Sequence, residues 1–178
     1  MTFAEAERLI EPVRRGDPAA IEAFVTATQP DLWRFLAHLV DPATAEDLAQ
    51  ETYLRALRAV GAFRGDASVR TWLLAIARRV AADELRRRSR RLPTLPLPDE
   101  HPGSAGHSGA AEIRDLIRRL PLERREPFVL TQVLGLSYAE TAHLLGCPLG
   151  TVRSRVARAR DDLHAALAVA TDRRKETR

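Results

Sequence analysis

From residue 93 onward the chain carries Pro93, Pro96, Pro98 and Pro102, then Gly103, Gly106 and Gly109 with Ser104 and Ser108 among them. Proline brings no backbone N–H and its ring clashes with the preceding turn, while glycine loses the most backbone freedom when fixed. No regular element is expected to run through such a stretch. Its composition is that of a linker, extended where proline dominates and flexible where glycine and serine do. Residues 92–110 therefore divide the 178-residue chain into two parts, 1–91 and 111–170, followed by a charged tail at 171–178. Each part is the size of one small domain.

Both parts read as helix. Apolar residues make up 45% of the chain but aromatics only 5%, and Ala, Leu and Arg dominate. That mixture favours helix over sheet, so the expected fold is all-α, two small helical domains joined by a flexible linker. Net charge is +4 with an isoelectric point near 10.1, and the basic residues cluster. Clustering, more than the total, points to a nucleic-acid partner. A single cysteine rules out an internal disulfide and suits a reducing cytoplasm. No apolar run approaches the roughly 18–20 residues that span a bilayer, and Met1-Thr-Phe-Ala-Glu-Ala-Glu has neither the basic start nor the apolar core of a signal peptide. The expectation is a cytoplasmic protein with no membrane partner.

The sharpest local signal lies in the second part. Ser137-Tyr-Ala-Glu140 has the spacing of a capping box, Ala139, Ala142, Leu144 and Leu145 give the following helix an apolar surface, and Gly146-Cys147-Pro148 ends it. A second helix opens near Gly150. At about 100° per residue, Val152, Val156 and Ala159 form its apolar back, continued by Leu163 and Leu167. Ser154, Ala157 and Arg158 point the other way, flanked by Arg153 and Arg155. Helix, Gly-containing turn and basic helix make a helix-turn-helix, and a front of arginines and small residues suits the DNA major groove. The rival reading is a surface helical hairpin with solvated arginines. Before the motif, an amphipathic helix at 112–120 ends at Pro121, and a helix at about 122–134 buries Phe128, Val129, Leu130 and Val133 up to Gly135.

In the first part, Thr2-x-x-Glu5 opens a short helix ended near Pro12 and Gly16. Asp17-Pro18 starts the next, an N-cap acid followed by proline at the first helical position. Ile21, Phe24 and Val25 form its stripe, Pro30 restarts the chain as a separate helix, and Trp33 and Phe35 are core residues. Asp41-Pro42 breaks the chain again, and Thr44-x-x-Asp47 opens a helix at about 45–60. On it, Asp47, Gln50, Glu51 and Leu54 share a strip by i, i+3, i+4, i+7 spacing. By spacing alone the strip reads first as ordinary solvated helix surface with favourable acids in the first turn, and otherwise as a dock for a basic partner helix. Gly61–Arg70 is a loop anchored by Phe63, and Ser68 or Asp66 caps a helix at about 69–88 with Trp72, Leu73, Ile76 and Val80 as its stripe. Its far end, Arg86 to Arg91, is either a solvated basic tail or a phosphate contact, and loop, tryptophan and basic helix together suit gripping an opened DNA strand.

No Ser/His/Asp or Cys/His constellation and no HExxH occurs, so no catalytic residue, small-molecule substrate, cofactor or metal is expected. His101 and His107 lack partners at ligand spacing. His143 and Cys147 sit i, i+4 at the turn, too sparse for a metal site, and Cys147 reads as a small buried thiol.

Three stretches together resemble the sigma-70 family of the extracytoplasmic function (ECF) type over about residues 17–168. Asp47-Leu-Ala-Gln-Glu51 with Thr52-Tyr53 resembles its core-binding helix. Phe63-Arg-Gly followed by Arg70-Thr-Trp-Leu-Leu-Ala-Ile-Ala resembles its promoter-melting segment, and Leu136-Ser-Tyr-Ala-Glu through Gly150-Thr-Val-Arg-Ser-Arg resembles its minus-35 reader. Within the type, the chain is most similar to the actinobacterial sigma factor C group. The resemblance implies a transcription-initiation factor that binds core RNA polymerase (the beta-prime and beta subunits) and promoter DNA, with an anti-sigma factor as a further partner. It implies that Asp47, Gln50, Glu51 and Leu54 dock on polymerase. Phe63, Arg64 and Trp72 would serve the minus-10 element, with Arg78 and Arg79 on duplex just upstream. Arg153, Ser154, Ala157 and Arg158 would face minus-35 bases, with Arg155 and Arg160 nearer phosphates. Two departures are visible: Trp72-Leu73 stands where primary members carry paired tryptophans, and Ala157 stands where some relatives carry an aromatic. The alternative is a stand-alone helix-turn-helix regulator that works without polymerase.

Overall fold

Two Asp-Pro steps set the frame of the first half. Asp17 is extended and its carboxylate accepts from the Ala19 and Ala20 amides, with Pro18 at the first helical position. Asp41 does the same one helix later, accepting from the Thr44 amide at 2.9 Å and the Thr44 hydroxyl at 2.7 Å. The computed structural model describes residues 3–91 and 109–176, with side chains over 5–90 and 112–168. The described elements are helices α1 (Phe3–Arg8), α2 (Ile10–Arg14), α3 (Pro18–Leu39), α4 (Pro42–Ala59), α5 (Val69–Arg91), α6 (Gly109–Arg119), α7 (Leu122–Phe128), α8 (Tyr138–Leu145) and α9 (Leu149–Glu176). A 3-10 turn at Val60–Ala62 follows α4, and a π-helical turn at Val129–Val133 follows α7. The architecture is all-α, as expected. The proline-rich stretch lies outside the described residues apart from Gly109 and Ala110, which open α6; His101 and His107 lie outside them too.

Several local expectations need correction. Pro30 does not divide α3, which continues from Pro18 to Leu39. An internal proline costs a helix about 3 kcal/mol in isolation, but both arms of α3 bury the same face: Ala20, Phe24 and Ala27 before Pro30, Leu32, Phe35, Leu36 and Leu39 after it. Each fully buried Leu or Phe contributes about 1.5–3 kcal/mol, so tertiary packing overrides the break. On its outer flank, Ile21 and Val25 are only half-buried. The cap of α4 is Asp41 and not Thr44, because the Asp-Pro step is a helix start and not a break. The opening segment is two short helices meeting at Leu9.

Downstream, Pro127 sits inside α7 and the Thr131 hydroxyl donates to its carbonyl at 2.7 Å. The backbone then widens, with the Leu134 amide donating to Val129 O five residues back at 3.0 Å. Such side-chain competition for helix carbonyls favours local departures from α geometry. In α8 the buried positions are Thr141 and Leu144, whereas Ala139 is exposed. In α9, Val152, Val156 and Ala159 are buried as expected, but Leu163 is only half-buried and Leu167 is 45% exposed. The apolar stripe therefore covers the first turns of a helix that runs on to Glu176.

The two halves share one core. Ile117, Val129, Leu130, Leu134, Leu136 and Leu144 join the cluster built on Phe24, Phe35, Leu36, Leu73 and Leu74. Arg125 stitches the seam, donating to Leu39 O at 3.0 Å across it and to Leu120 O at 2.8 Å within its own half. Arg114 lies over the Trp33 ring, 5.9 Å from its centroid. Among the described residues no helix is long and apolar enough to cross a membrane.

Candidate functional site

Three surfaces carry the residues singled out in the sequence. The first is the outer face of α4. Leu48, Ala49, Thr52 and Ala56 bury one side, and Asp47, Gln50 and Leu54 lie exposed on the other, Leu54 at 51%. Glu51 is half-buried and accepts from Arg55 Nε at 2.7 Å, while the same guanidinium reaches Asp83 on α5 at 3.2 Å. An exposed leucine beside ordered acids is a surface suited to a partner carrying an apolar contact and basic charge. Behind the strip, Tyr53 closes on Phe24 edge-on and bonds the Thr28 hydroxyl at 2.9 Å. Burial pushes its phenol up to about 12, against the opposing effect of the Thr28 bond.

The second surface is the loop between α4 and α5. Phe63 packs on Trp72, ring centroids 5.0 Å apart and tilted by 46°. Ser68 caps α5 by accepting from the Thr71 amide at 3.2 Å, and Gly65 takes the left-handed conformation (φ 80°) that this loop needs. Phe63, Arg64, Asp66, Thr71, Trp72 and Arg79 line a cavity of about 340 Å³, with His143 and Leu144 of α8 also in its wall. Arg79 is exposed, but Arg78 is not free: its Nε donates to both Glu126 carboxylate oxygens, at 3.0 and 3.1 Å. Arg70 likewise crosses the seam by donating to Leu134 O, and within its own half it pairs with Asp31 of α3 at 2.6 Å.

The third surface is the front of α9. The capping box on α8 is complete, with the Glu140 amide donating to Ser137 Oγ at 3.1 Å and the Ser137 amide donating to Glu140 Oε2 at 2.8 Å. Those bonds hold the Glu140 carboxyl below its ordinary value. Gly146 ends α8 in the left-handed region (φ 64°), and its amide bonds back to His143 O. Val152, Val156 and Ala159 then press α9 onto the domain and leave Arg153, Ser154, Ala157 and Arg158 exposed on one face. Arg155 is half-buried on the flank that faces Glu126, and Arg160 donates to Gln132 Oε1 at 2.7 Å. Cys147 is half-buried and His143 exposed.

Sequence reading did not single out Glu126. It is 7% exposed at the seam, and burial pushes its carboxyl up despite Arg78, Arg155 and Arg125 around it. A signal was present: Glu126 shares the i+3, i+4 face of Val129 and Leu130, so a carboxylate stood on an apolar stripe. Arg125, depressed by its burial, carried no such signal.

Residues 24–91 match the Sigma-70 region 2 family, and residues 110–163 match the Sigma-70, region 4 family. The chain is 50% identical over 157 residues to the ECF RNA polymerase sigma factor SigC of Mycobacterium tuberculosis, covering 85% of each chain. It is 33% identical over 171 residues to the ECF RNA polymerase sigma-E factor of Escherichia coli, covering 86% of this chain and 89% of that one. Two solved structures are similar at a TM-score of 0.71: the sigma factor RpoE of Bartonella quintana in complex with the anti-sigma factor NepR (28% identity, 83% of this chain and 96% of that one) and CnrH in complex with the cytosolic domain of CnrY (25% identity, 90% and 96%). With half of the aligned positions identical to SigC and both Sigma-70 regions following in order on this helical frame, the chain belongs to the sigma-70 family of RNA polymerase sigma factors, in its ECF branch.

Proposed function

We propose that this sigma factor docks on core RNA polymerase through Asp47, Gln50, Glu51 and Leu54, and reads two promoter elements with its two halves. Residues 1–91 serve polymerase and the minus-10 element, residues 92–110 link, and residues 111–170 serve the minus-35 element. Phe63, Arg64 and Trp72 take an extruded base at the minus-10 element, and Arg78 and Arg79 hold the duplex beside it. Arg153, Ser154, Ala157 and Arg158 enter the minus-35 major groove, and Arg155 approaches the phosphates. Base stacking or pocketing contributes roughly 1–3 kcal/mol, enough to bias opening once polymerase anchors both halves and raises their effective concentration on DNA. The factor carries out no covalent chemistry of its own, works in the cytoplasm with polymerase, and is held by an anti-sigma factor, as the similar RpoE was by NepR in its complex.

The observation that carries the reading is the pairing of an exposed Arg/Ser/Ala face on α9 with an exposed acidic and leucine strip on α4, on one chain of this family. Run-off transcription by matched core polymerase on pooled upstream genomic fragments tests it. Discrete transcripts are expected only when the protein is added, and not with Glu51→Lys. Tight duplex binding by the free protein, with no effect of Glu51→Lys, would move the assignment to a stand-alone regulator.

A further inference from the structure

The segment before α3 falls outside the matched region 2, which begins at residue 24. It nonetheless folds onto the first half through buried Ala6, Ile10 and Val13, and its last turn delivers Arg14 to the loop that follows α4. Arg14 Nε donates to Val60 O at 3.0 Å, one terminal nitrogen donates to Phe63 O, and the other pairs with Glu11. Val60 and Phe63 are the two ends of the 3-10 turn, already joined by the Phe63 amide donating to Val60 O at 3.2 Å. Val60 O thus accepts two donors, filling the acceptor capacity of a carbonyl. One planar guanidinium therefore spans both ends of a turn 46 to 49 residues away in sequence.

The position matters because of what leaves that turn. Phe63 is extended (φ −68°, ψ 119°), projects its ring onto Trp72, and is followed by Arg64 and by Gly65. Trp72 holds the side chain and Arg14 holds the backbone behind it. A second cavity, about 490 Å³, opens between Ile10, Glu11 and Arg14 on one side and Phe63, Arg64 and Val69 on the other. A glycine-bearing loop without a clamp loses its ordering entropy on binding, whereas a pre-ordered loop has already lost it.

We propose that Arg14 is a positioning residue for minus-10 recognition: its guanidinium fork fixes the Val60–Phe63 backbone so that Phe63 and Arg64 meet DNA in one arrangement. The inference rests on the assignment of that loop to the minus-10 element. Lysine at position 14 keeps the charge and most of the packing but has a single terminal donor group in place of the fork, so it separates positioning from phosphate attraction.

The test uses holoenzyme reconstituted from core polymerase and full-length protein: wild type, Arg14→Ala, Arg14→Lys, and Arg15→Ala as a neighbouring charge control. Run-off transcription is measured from a promoter the factor uses and from derivatives with single substitutions in the minus-10 or minus-35 element. The readout is the ratio of intact to substituted promoter. Both Arg14 variants are expected to lower the minus-10 ratio by about tenfold, the scale of losing one to two charge-assisted hydrogen bonds, with the minus-35 ratio and core affinity held within about twofold. Arg15→Ala keeps both ratios. If Arg14→Ala fails to fold, Arg14→Lys decides alone. Equal loss on every template with unchanged ratios would make Arg14 merely structural, and wild-type ratios with Arg14→Lys would make it a phosphate contact; either overturns the proposal. Phe63→Ala and Arg64→Ala are run alongside. If neither changes the minus-10 ratio, the loop assignment has failed and the role of Arg14 falls with it.

Discussion

At the scale of single residues, the polar groups that matter are those with more than one partner. Asp41 caps α4 and also accepts from Arg88 of α5 at 2.9 Å, while Arg88 reaches Glu84 at 2.9 Å. Burial pushes the Asp41 carboxyl up, but the two Thr44 bonds and Arg88 outweigh it and hold the group far below the ordinary carboxylate range. A depressed folded value means stability that is complete above the unfolded value near 3.8 and drains away as pH falls below it. Asp41→Ala is expected to cost about 0.5–2 kcal/mol at neutral pH, as lost N-caps do, and to flatten the acid limb of the stability curve. Urea melts at pH 7 and pH 3 check both, and an unchanged difference between the two pH values would reject the cap's role. Some of this was legible and some was not. Asp17-Pro18 reads as a cap on sight, and Asp41-Pro42 is the same two-residue grammar, obscured by Thr44-x-x-Asp47 just downstream. Arg14 was invisible as a functional residue because Val60 and Phe63 lie 46 and 49 residues away, and the apolar stripe that signalled Glu126 gave no hint of its partner Arg78, 48 residues away.

At the scale of elements, the helix-turn-helix was the most legible part, because its capping box, left-handed Gly146 and buried Val152, Val156 and Ala159 are all local facts. The α3 break at Pro30 and the ordinary helix expected over 122–134 were misread for one reason: both depend on how a helix packs and on what its side chains do to its own carbonyls, which periodicity does not encode. The reading face of α9 yields a prediction of its own. Arg158 is exposed and its removal opens no cavity, so Arg158→Ala is expected to keep helix content and core binding while reducing discrimination between intact and substituted minus-35 promoters by about 1–3 kcal/mol, the range for a bidentate base contact. Competition transcription on paired templates measures it. A parallel loss of core binding would show that α9 acts through the fold and not through DNA.

At the scale of the whole molecule, the closed seam is the feature sequence could not foretell. A linker composition says that two halves are separable, not whether they touch. Arg78 is half-buried and its carboxylate partner Glu126 buried, so truncating the arginine leaves the acid buried with Arg155 and Arg125 as its remaining basic neighbours. Arg78→Ala is therefore expected to loosen α7 from α5 and raise the radius of gyration of the free protein, with helix content unchanged. Because burial holds Glu126 above its ordinary value of 4.5, the closed form prefers the neutral acid. Its contribution grows as pH falls through the window just above that value, and mild acidification should partly restore compaction in the variant. Small-angle scattering at pH 7 and pH 5 reads both outcomes, and an unchanged radius at pH 7 would show that the ion pair does not hold the seam.

The same seam fixes how affinities of this protein compare from one setting to another. The cavity lined by Phe63 and Trp72 of the first half takes part of its wall from His143 and Leu144 of the second. Where a site is competent only once two halves part, its apparent affinity falls with the fraction open, about tenfold for every 1.4 kcal/mol held in the contact between them. A partner that held the halves apart would relieve that factor for DNA, and DNA would by linkage return the same factor to the partner. Any preference exerted through this cavity would then depend on how the two halves are placed as much as on the side chains that line it.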